Sequence, residues 1–313
     1  GTPSSDTTML QGIQEHFSGE TVYAKGCELT GQDREGFEEA VRIAEEADAV
    51  VLCLGLSPEL EGEEGDAFNA DAAGDRLSLT LPGVQEELLD ALTETGTPLT
   101  VVLLSGSGTD LRQVDEKANA VIQAWYPGQD GGKALAEILF GDFNPMGRLP
   151  ITFVKSDADL PDFENYDLKG RTYRYLETEP LYPFGYGLSY TAFDYADLSI
   201  EKGEEALSVC VTVTNAGTMA GNEVVQVYYH RENAPLPVPN FQLCGFKRVY
   251  LEAGESRQVT IQIRLDLLNL VNENGKSVRE PGTFKLFVGG QQPDARSEAL
   301  TGKTVLMKEI SLP

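Results

Sequence analysis

The sequence predicts two architectures in succession: an α/β sandwich domain, mostly parallel sheet flanked by helices, and then an all-β sandwich. Two observations carry this. In the first half, the apolar runs Ala49-Val-Val-Leu-Cys-Leu-Gly55, Leu99-Thr-Val-Val-Leu-Leu-Ser105 and Val121-Ile-Gln-Ala-Trp125 alternate with helical periods, as strands buried in a parallel sheet do. Beyond Phe193 the period falls to two, in short runs separated by turn signals, which is the pattern of an antiparallel sandwich of roughly seven strands.

In chain order, Leu10, Ile13 and Phe17 are spaced for a helix over Met9 to Phe17, and Thr21 to Ala24 reads as a short strand. Phe37, Ala40, Val41, Ile43 and Ala44 among Glu and Arg predict an amphipathic helix over 35–47. The buried strand ending at Gly55 follows, then the acidic segment 59–76. A helix with Pro82 near its start leads to the second strand. After the third strand come a Gly-rich turn, a helix over Gly131 to Phe140 and the breaker run Gly141-Asp-Phe-Asn-Pro-Met-Gly147. Gly128, Gly131 and Gly132 read as backbone requirements, and Trp125 as core. The α/β domain is thus set at 1–156. An aromatic, Gly-rich connector occupies 157–192, packed rather than disordered because it carries seven tyrosine and phenylalanine rings between Tyr166 and Tyr190. The β-sandwich is set at 193–313, with strands over 207–214, 224–229, 242–249, 258–263 and 282–289 and turns at Asn215-Ala-Gly and Ala253-Gly-Glu.

Composition narrows the chemistry. The 313 residues hold 50 Asp and Glu against 24 Lys and Arg, a formal charge of -26, which opposes nucleic acid and anionic membranes and suits a neutral substrate. Cys27, Cys53, Cys210 and Cys244 lie far apart with no histidine at ligand spacing, so neither a metal nor any other cofactor is expected; Cys53 and Cys210 read as core thiols. With only His16 and His230 available, histidine-based nucleophilic catalysis has almost nothing to draw on. Catalysis would fall to carboxylates. No apolar run approaches the ~20 residues of a membrane span. The turn Ser105-Gly-Ser-Gly-Thr lacks phosphate-loop spacing and reads as a plain turn, which disfavours a flavodoxin-like nucleotide binder.

The segment from Glu59 to Arg76 is the candidate site. Five carboxylates, Glu59, Glu61, Glu63, Glu64 and Asp66, crowd eight positions directly after a strand, and open α/β sheets bind ligands beyond the carboxyl ends of their strands. Crowded carboxylates raise one another's pKa, which suits a proton donor; a merely solvated acidic loop is the competing reading. Asp75 and Arg76 read as a structural pair at the loop's exit.

Six segments in order resemble the C-terminal half of a family 3 glycoside hydrolase of the β-glucosidase and β-xylosidase type. They are Gly74-Asp-Arg-Leu-Ser-Leu-Thr-Leu-Pro-Gly-Val-Gln85, Trp125-Tyr-Pro-Gly-Gln-Asp-Gly-Gly132, Gly141 to Phe153, Gly170-Arg-Thr-Tyr-Arg-Tyr175, Leu181 to Tyr190, and Gln242 to Val249 with Ala253-Gly-Glu-Ser256. The resemblance implies that the sandwich is fibronectin type III-like. It further implies that a TIM-like barrel, absent from this chain, precedes it and carries the nucleophilic Asp. It makes Glu63 the general acid/base, with Glu64 and then Glu61 as alternates. An oligosaccharide is the expected substrate, with terminal β-linked xylose or glucose removed. Gly1-Thr-Pro-Ser looks like the loop after the α/β domain's first strand, so the expected partner is the N-terminal barrel fragment, still associated after proteolytic nicking. A homodimer stays open, and secretion or a periplasmic location is expected. The alternative from another class is a non-catalytic carbohydrate-binding or adhesion module.

Overall fold

The computed structural model describes residues 5–61 and 76–313. The chain divides into two compact units, Gly1–Phe143 with Phe153–Asp159, and Asn144–Thr152 with Leu160–Pro313.

The first unit begins with helix α1 (Met9–His16), whose N-terminus is closed by a capping box between Thr8 and Gln11. Then come α2 (Phe37–Glu46), β1 (Val50–Gly55), α3 (Gln85–Thr93), β2 (Leu99–Leu104), α4 (Arg112–Lys117), β3 (Ala120–Gln123) and α5 (Gly131–Leu139). The described strands form one parallel sheet in the order β1-β2-β3, with Val50 opposite Leu99 and Thr100 opposite Ala120. Parallel neighbours need a crossover, and α3 and α4 supply one each. The short α4 went unread in the sequence because Val114 is its only buried residue, too little to set a period.

Strand β2 is central and mostly buried: Leu99, Val101, Val102 and Leu103 are at most 2 % exposed. Strand β1 departs from the expectation of burial on both faces. Leu52 and Leu54 are buried, but Val51 and Cys53 on the other face stand exposed, so Cys53 is not a core thiol. The cause is position: β1 is the edge of the described sheet, and among the described residues its second face is open. The expected strand at 21–24 is also absent; Val22 and Tyr23 are exposed and pair with no strand. Four residues without a partner strand leave their backbone to water rather than to a ladder.

The glycines after β3 behave as backbone requirements. Helices α1 and α5 approach so closely that a Cβ on Gly12 would lie 2.0 Å from the Gly132 carbonyl oxygen. A side chain at Gly132 would strike the Thr8 carbonyl at the same distance. Trp125 is half-buried, its ring centroid 6.3 Å from that of the buried Phe153.

The second unit opens with irregular chain and the single-turn helix α6 (Thr172–Tyr175). Its strands are β4 (Phe193–Lys202), β5 (Ala206–Asn215), β6 (Gly221–Arg231), β7 (Gln242–Leu251), β8 (Ser256–Arg264), β9 (Leu270–Val271), β10 (Ser277–Val278), β11 (Gly282–Gly289) and β12 (Leu306–Leu312), with α7 (Ala295–Thr301) before the last. Two antiparallel sheets, β12-β11-β6-β7 and β4-β5-β8, make the expected seven-stranded sandwich, and β9 with β10 forms a separate small ribbon. The inner faces supply one core. Leu207, Val209, Val211 and Val213 of β5 pack with Val225, Val227, Ile261, Ile263, Phe284 and Leu286, each strand giving every second residue. Cys210 falls on the other, even-numbered face of β5, outside this core, and accepts a contact from the Thr260 hydroxyl, so it too is no core thiol. The predicted turn at Asn215 is held by its buried side chain, which donates to the Met219 and Leu251 carbonyls and accepts from Thr191 and Gly217.

Candidate active site

The site is built at the carboxyl edge of the parallel sheet, and its foundation is the end of β1. Gly55 has φ +139°, and a Cβ there would meet the Leu104 carbonyl oxygen at 1.9 Å, so only glycine fits. The buried Gln85 on the first turn of α3 clamps this residue from both sides: Gly55 N donates to Gln85 Oε1 at 2.7 Å, and Gln85 Nε2 donates to the Gly55 carbonyl at 2.9 Å. The same Nε2 reaches the Leu29 carbonyl at 2.9 Å. Gln85 closes the segment Leu81-Pro-Gly-Val-Gln, so its place in that motif has a structural cause.

From this clamp the chain turns through Leu56 to Glu61, with Leu60 N and Glu61 N both donating to the Ser57 carbonyl. Glu61 then meets the ends of the other two strands. Its carboxylate accepts from Gly106 N at 2.6 Å, from the Ser107 hydroxyl and from the Tyr126 hydroxyl. Gly106 and Ser107 follow β2, and Tyr126 follows β3, so one carboxylate ties together the loops leaving all three described strands. The Ser105-Gly-Ser turn binds no phosphate-loop geometry here; its work is to hold Glu61. Burial pushes the Glu61 carboxyl up, but the Ser107, Tyr126 and Gly106 donors, with the nearby Arg76 charge, outweigh it and hold the group below the usual carboxylate range. Burial and donation to Glu61 correspondingly push the Tyr126 phenol well up.

The candidates Glu63 and Glu64, and with them Asp66 and Asp75, lie outside the described residues. Glu61, the third candidate, is the point where the acidic segment is fastened to the sheet. Glu59 is exposed. At the segment's far end, Asp157 fixes the exit by accepting from the Ser78 hydroxyl at 2.7 Å and from Leu79 N at 2.8 Å, while Arg76 Nη2 donates to the Thr80 carbonyl at 2.6 Å. Gly106, Ser107, Tyr126 and Asp157 were not singled out from the sequence. The one available signal was the small, polar composition of the turn directly after β2.

Among the described residues, no three His, Cys, Asp or Glu side chains are grouped to hold a metal ion, and no helix is long and apolar enough to cross a membrane.

The glycosyl hydrolase family 3 C-terminal domain matches residues 1–190, and the fibronectin type III-like domain matches residues 223–292. A β-xylosidase of Formosa agariphila is 37 % identical over 97 % of this chain, which covers 42 % of that protein. A periplasmic β-glucosidase of Salmonella typhimurium is 33 % identical over 92 % of the chain and 42 % of its own length. The solved structure of a β-glucosidase from Erythrobacter marinus superposes with a TM-score of 0.83 at 32 % identity, covering 99 % of this chain and 43 % of that one. The chain thus spans about two fifths of the length of the relatives it matches. By these matches and by its two folds, the chain belongs to glycoside hydrolase family 3 and carries that family's C-terminal and fibronectin type III-like domains.

Proposed function

We propose that this chain is the C-terminal portion of an exo-acting retaining β-glycosidase, releasing terminal non-reducing β-linked xylose or glucose from oligosaccharides. In this reading Glu63 is the general acid/base, and the N-terminal barrel brings the nucleophilic Asp and binds most of the terminal sugar. The two polypeptide parts are partners, and the enzyme works outside the cytoplasm, as the name of the Salmonella relative supports.

The observation that carries the reading is the fastening of the acidic segment at the carboxyl edge of the sheet. A retaining hydrolase needs two carboxyl groups about 5–5.5 Å apart, one attacking the anomeric carbon and one protonating the leaving oxygen, then deprotonating the incoming water. A donor two positions beyond Glu61 starts from a root that Gln85, Ser107 and Tyr126 hold in place. Glu61 itself is poorly suited to the donor role. Its three hydrogen bonds favour the ionised form, and a general acid must enter the reaction protonated. That division leaves Glu63 first and Glu64 second, with Glu61 as the carboxylate that positions them.

The test is Glu63→Ala in the complete enzyme. The expected result is a fall in kcat of about 10²–10⁴-fold on substrates with poor leaving groups, a smaller fall on activated aryl glycosides, and rescue by azide. Unchanged kinetics would transfer the role to Glu64.

A further inference from the structure

The second unit contains a cavity of about 280 Å³, remote in sequence from the acidic segment. Its apolar wall is aromatic. Tyr173 and Phe184 stack with ring centroids 4.1 Å apart, and Phe241 joins them. The wall is fixed from behind, since the Tyr173 hydroxyl accepts from Leu243 N at 3.2 Å and both stacked rings meet the buried Tyr228 edge-on. The rest of the lining is polar. Arg296 holds its place by donating Nε to the Leu181 carbonyl at 3.1 Å, and Asn240 Nδ2 donates to the Leu176 carbonyl at 3.0 Å.

Two side chains that line this cavity each carry a buried polar atom with no hydrogen-bond partner among the described residues, Gln292 Oε1 and Thr152 Oγ1. Gln292 is only 6 % exposed. A buried polar atom without a partner is costly and rare in a folded protein, and an amide oxygen and a hydroxyl so placed in the lining of one cavity mark a place where hydrogen-bonding groups arrive from outside the chain.

We infer that this cavity is a second carbohydrate-binding site, separate from the acidic segment, that takes one neutral pyranose unit of an oligosaccharide. The chemistry selects that class. A sugar ring offers C–H faces to aromatic walls and hydroxyl groups to the polar side chains of Gln292 and Thr152. Glu177, Glu179 and Asp294 also line the cavity against the single cation Arg296, which disfavours an anionic ligand. The small volume admits one ring at a time. The site would hold a chain end or a neighbouring chain near the enzyme; it does no chemistry itself. The inference rests on the cavity's own lining, so it can fail while the catalytic reading stands.

Xylobiose and cellobiose titrated into the 313-residue chain, followed by calorimetry and saturation-transfer NMR, test it. The expected result is saturable binding with a millimolar dissociation constant, weakened about fivefold or more by Gln292→Leu and by Phe241→Ala. Thr152→Val, which keeps the side-chain shape, should weaken binding with an unchanged near-ultraviolet circular dichroism spectrum. Glu63→Gln should leave this binding intact. Absence of saturable binding in the millimolar range overturns the proposal. So does binding that survives Gln292→Leu and Thr152→Val but vanishes in Glu63→Gln, because that places the sugar at the acidic segment.

Discussion

Glu61 ties together the loops leaving β1, β2 and β3 through a single carboxylate. Its pKa is held below the ordinary value in the folded protein, so it binds protons less readily than in the unfolded chain. The stabilisation this brings is present above the unfolded pKa of about 4.3, and is lost as pH falls through the lower folded pKa. Glu61→Gln is therefore expected to lower the unfolding midpoint at pH 7. The gap from the unmodified chain should narrow as pH is lowered from about 5 through the unfolded value of about 4.3 and on through the lower folded one. Thermal unfolding of the two proteins across that range checks it, and a gap independent of pH would mean that the charge of Glu61 contributes nothing. The partners that set this behaviour were out of reach of sequence reading, because Gly106 and Tyr126 lie 45 and 65 positions away from Glu61. What the sequence did show was the crowding of carboxylates after an apolar strand, and the resemblance of the surrounding segments.

Among the elements, the junction of β1 and α3 determines where the acidic segment begins. Gln85 saturates Gly55 N, the Gly55 carbonyl and the Leu29 carbonyl within a buried setting. Gln85→Leu keeps the size and removes every one of those partners, so the expected loss is about 1–3 kcal/mol for each group left unpaired and dry. Denaturant unfolding should register a cost of at least one such group; a neutral result would show that water replaces the amide. The elements themselves were legible wherever burial follows from a short-range period. The strand β2 has a continuous apolar run because helices and neighbouring strands cover it, and β5, β8 and β11 alternate because one face meets the sandwich core. The outer face of β1 was misread for the same reason. Val51 and Cys53 are as apolar as Leu52, and composition alone does not say whether anything covers them. Cys210 was misplaced by one register position, which in a strand moves a side chain to the opposite face.

At the scale of the molecule, the excess of 26 negative charges makes self-repulsion a term of its own. Opposing it are ion pairs of two kinds. Arg34 with Glu87 and Lys285 with Glu232 sit where solvent screens them, and such pairs are worth about 0–1 kcal/mol. Arg148 with Glu223 is buried, the carboxylate also accepting from the Tyr195 hydroxyl at 2.8 Å; burial pushes Glu223 up while Arg148 pulls it down. Salt weakens the exposed pairs and the general repulsion together, and barely touches the buried one. Because carboxylates outnumber cations about two to one, repulsion is the larger of the two screened terms. The unfolding midpoint at pH 7 is therefore expected to rise when ionic strength goes from about 0.01 M to about 0.15 M, as the screening length falls from about 30 Å to about 8 Å. Potassium chloride and sodium chloride should act alike, since the effect is screening rather than ion binding. A midpoint that falls with salt would show that the surface pairs outweigh the charge excess. The Arg148–Glu223 pair, by contrast, should keep its full weight at either ionic strength, so the cost of Arg148→Met should be the same in both buffers.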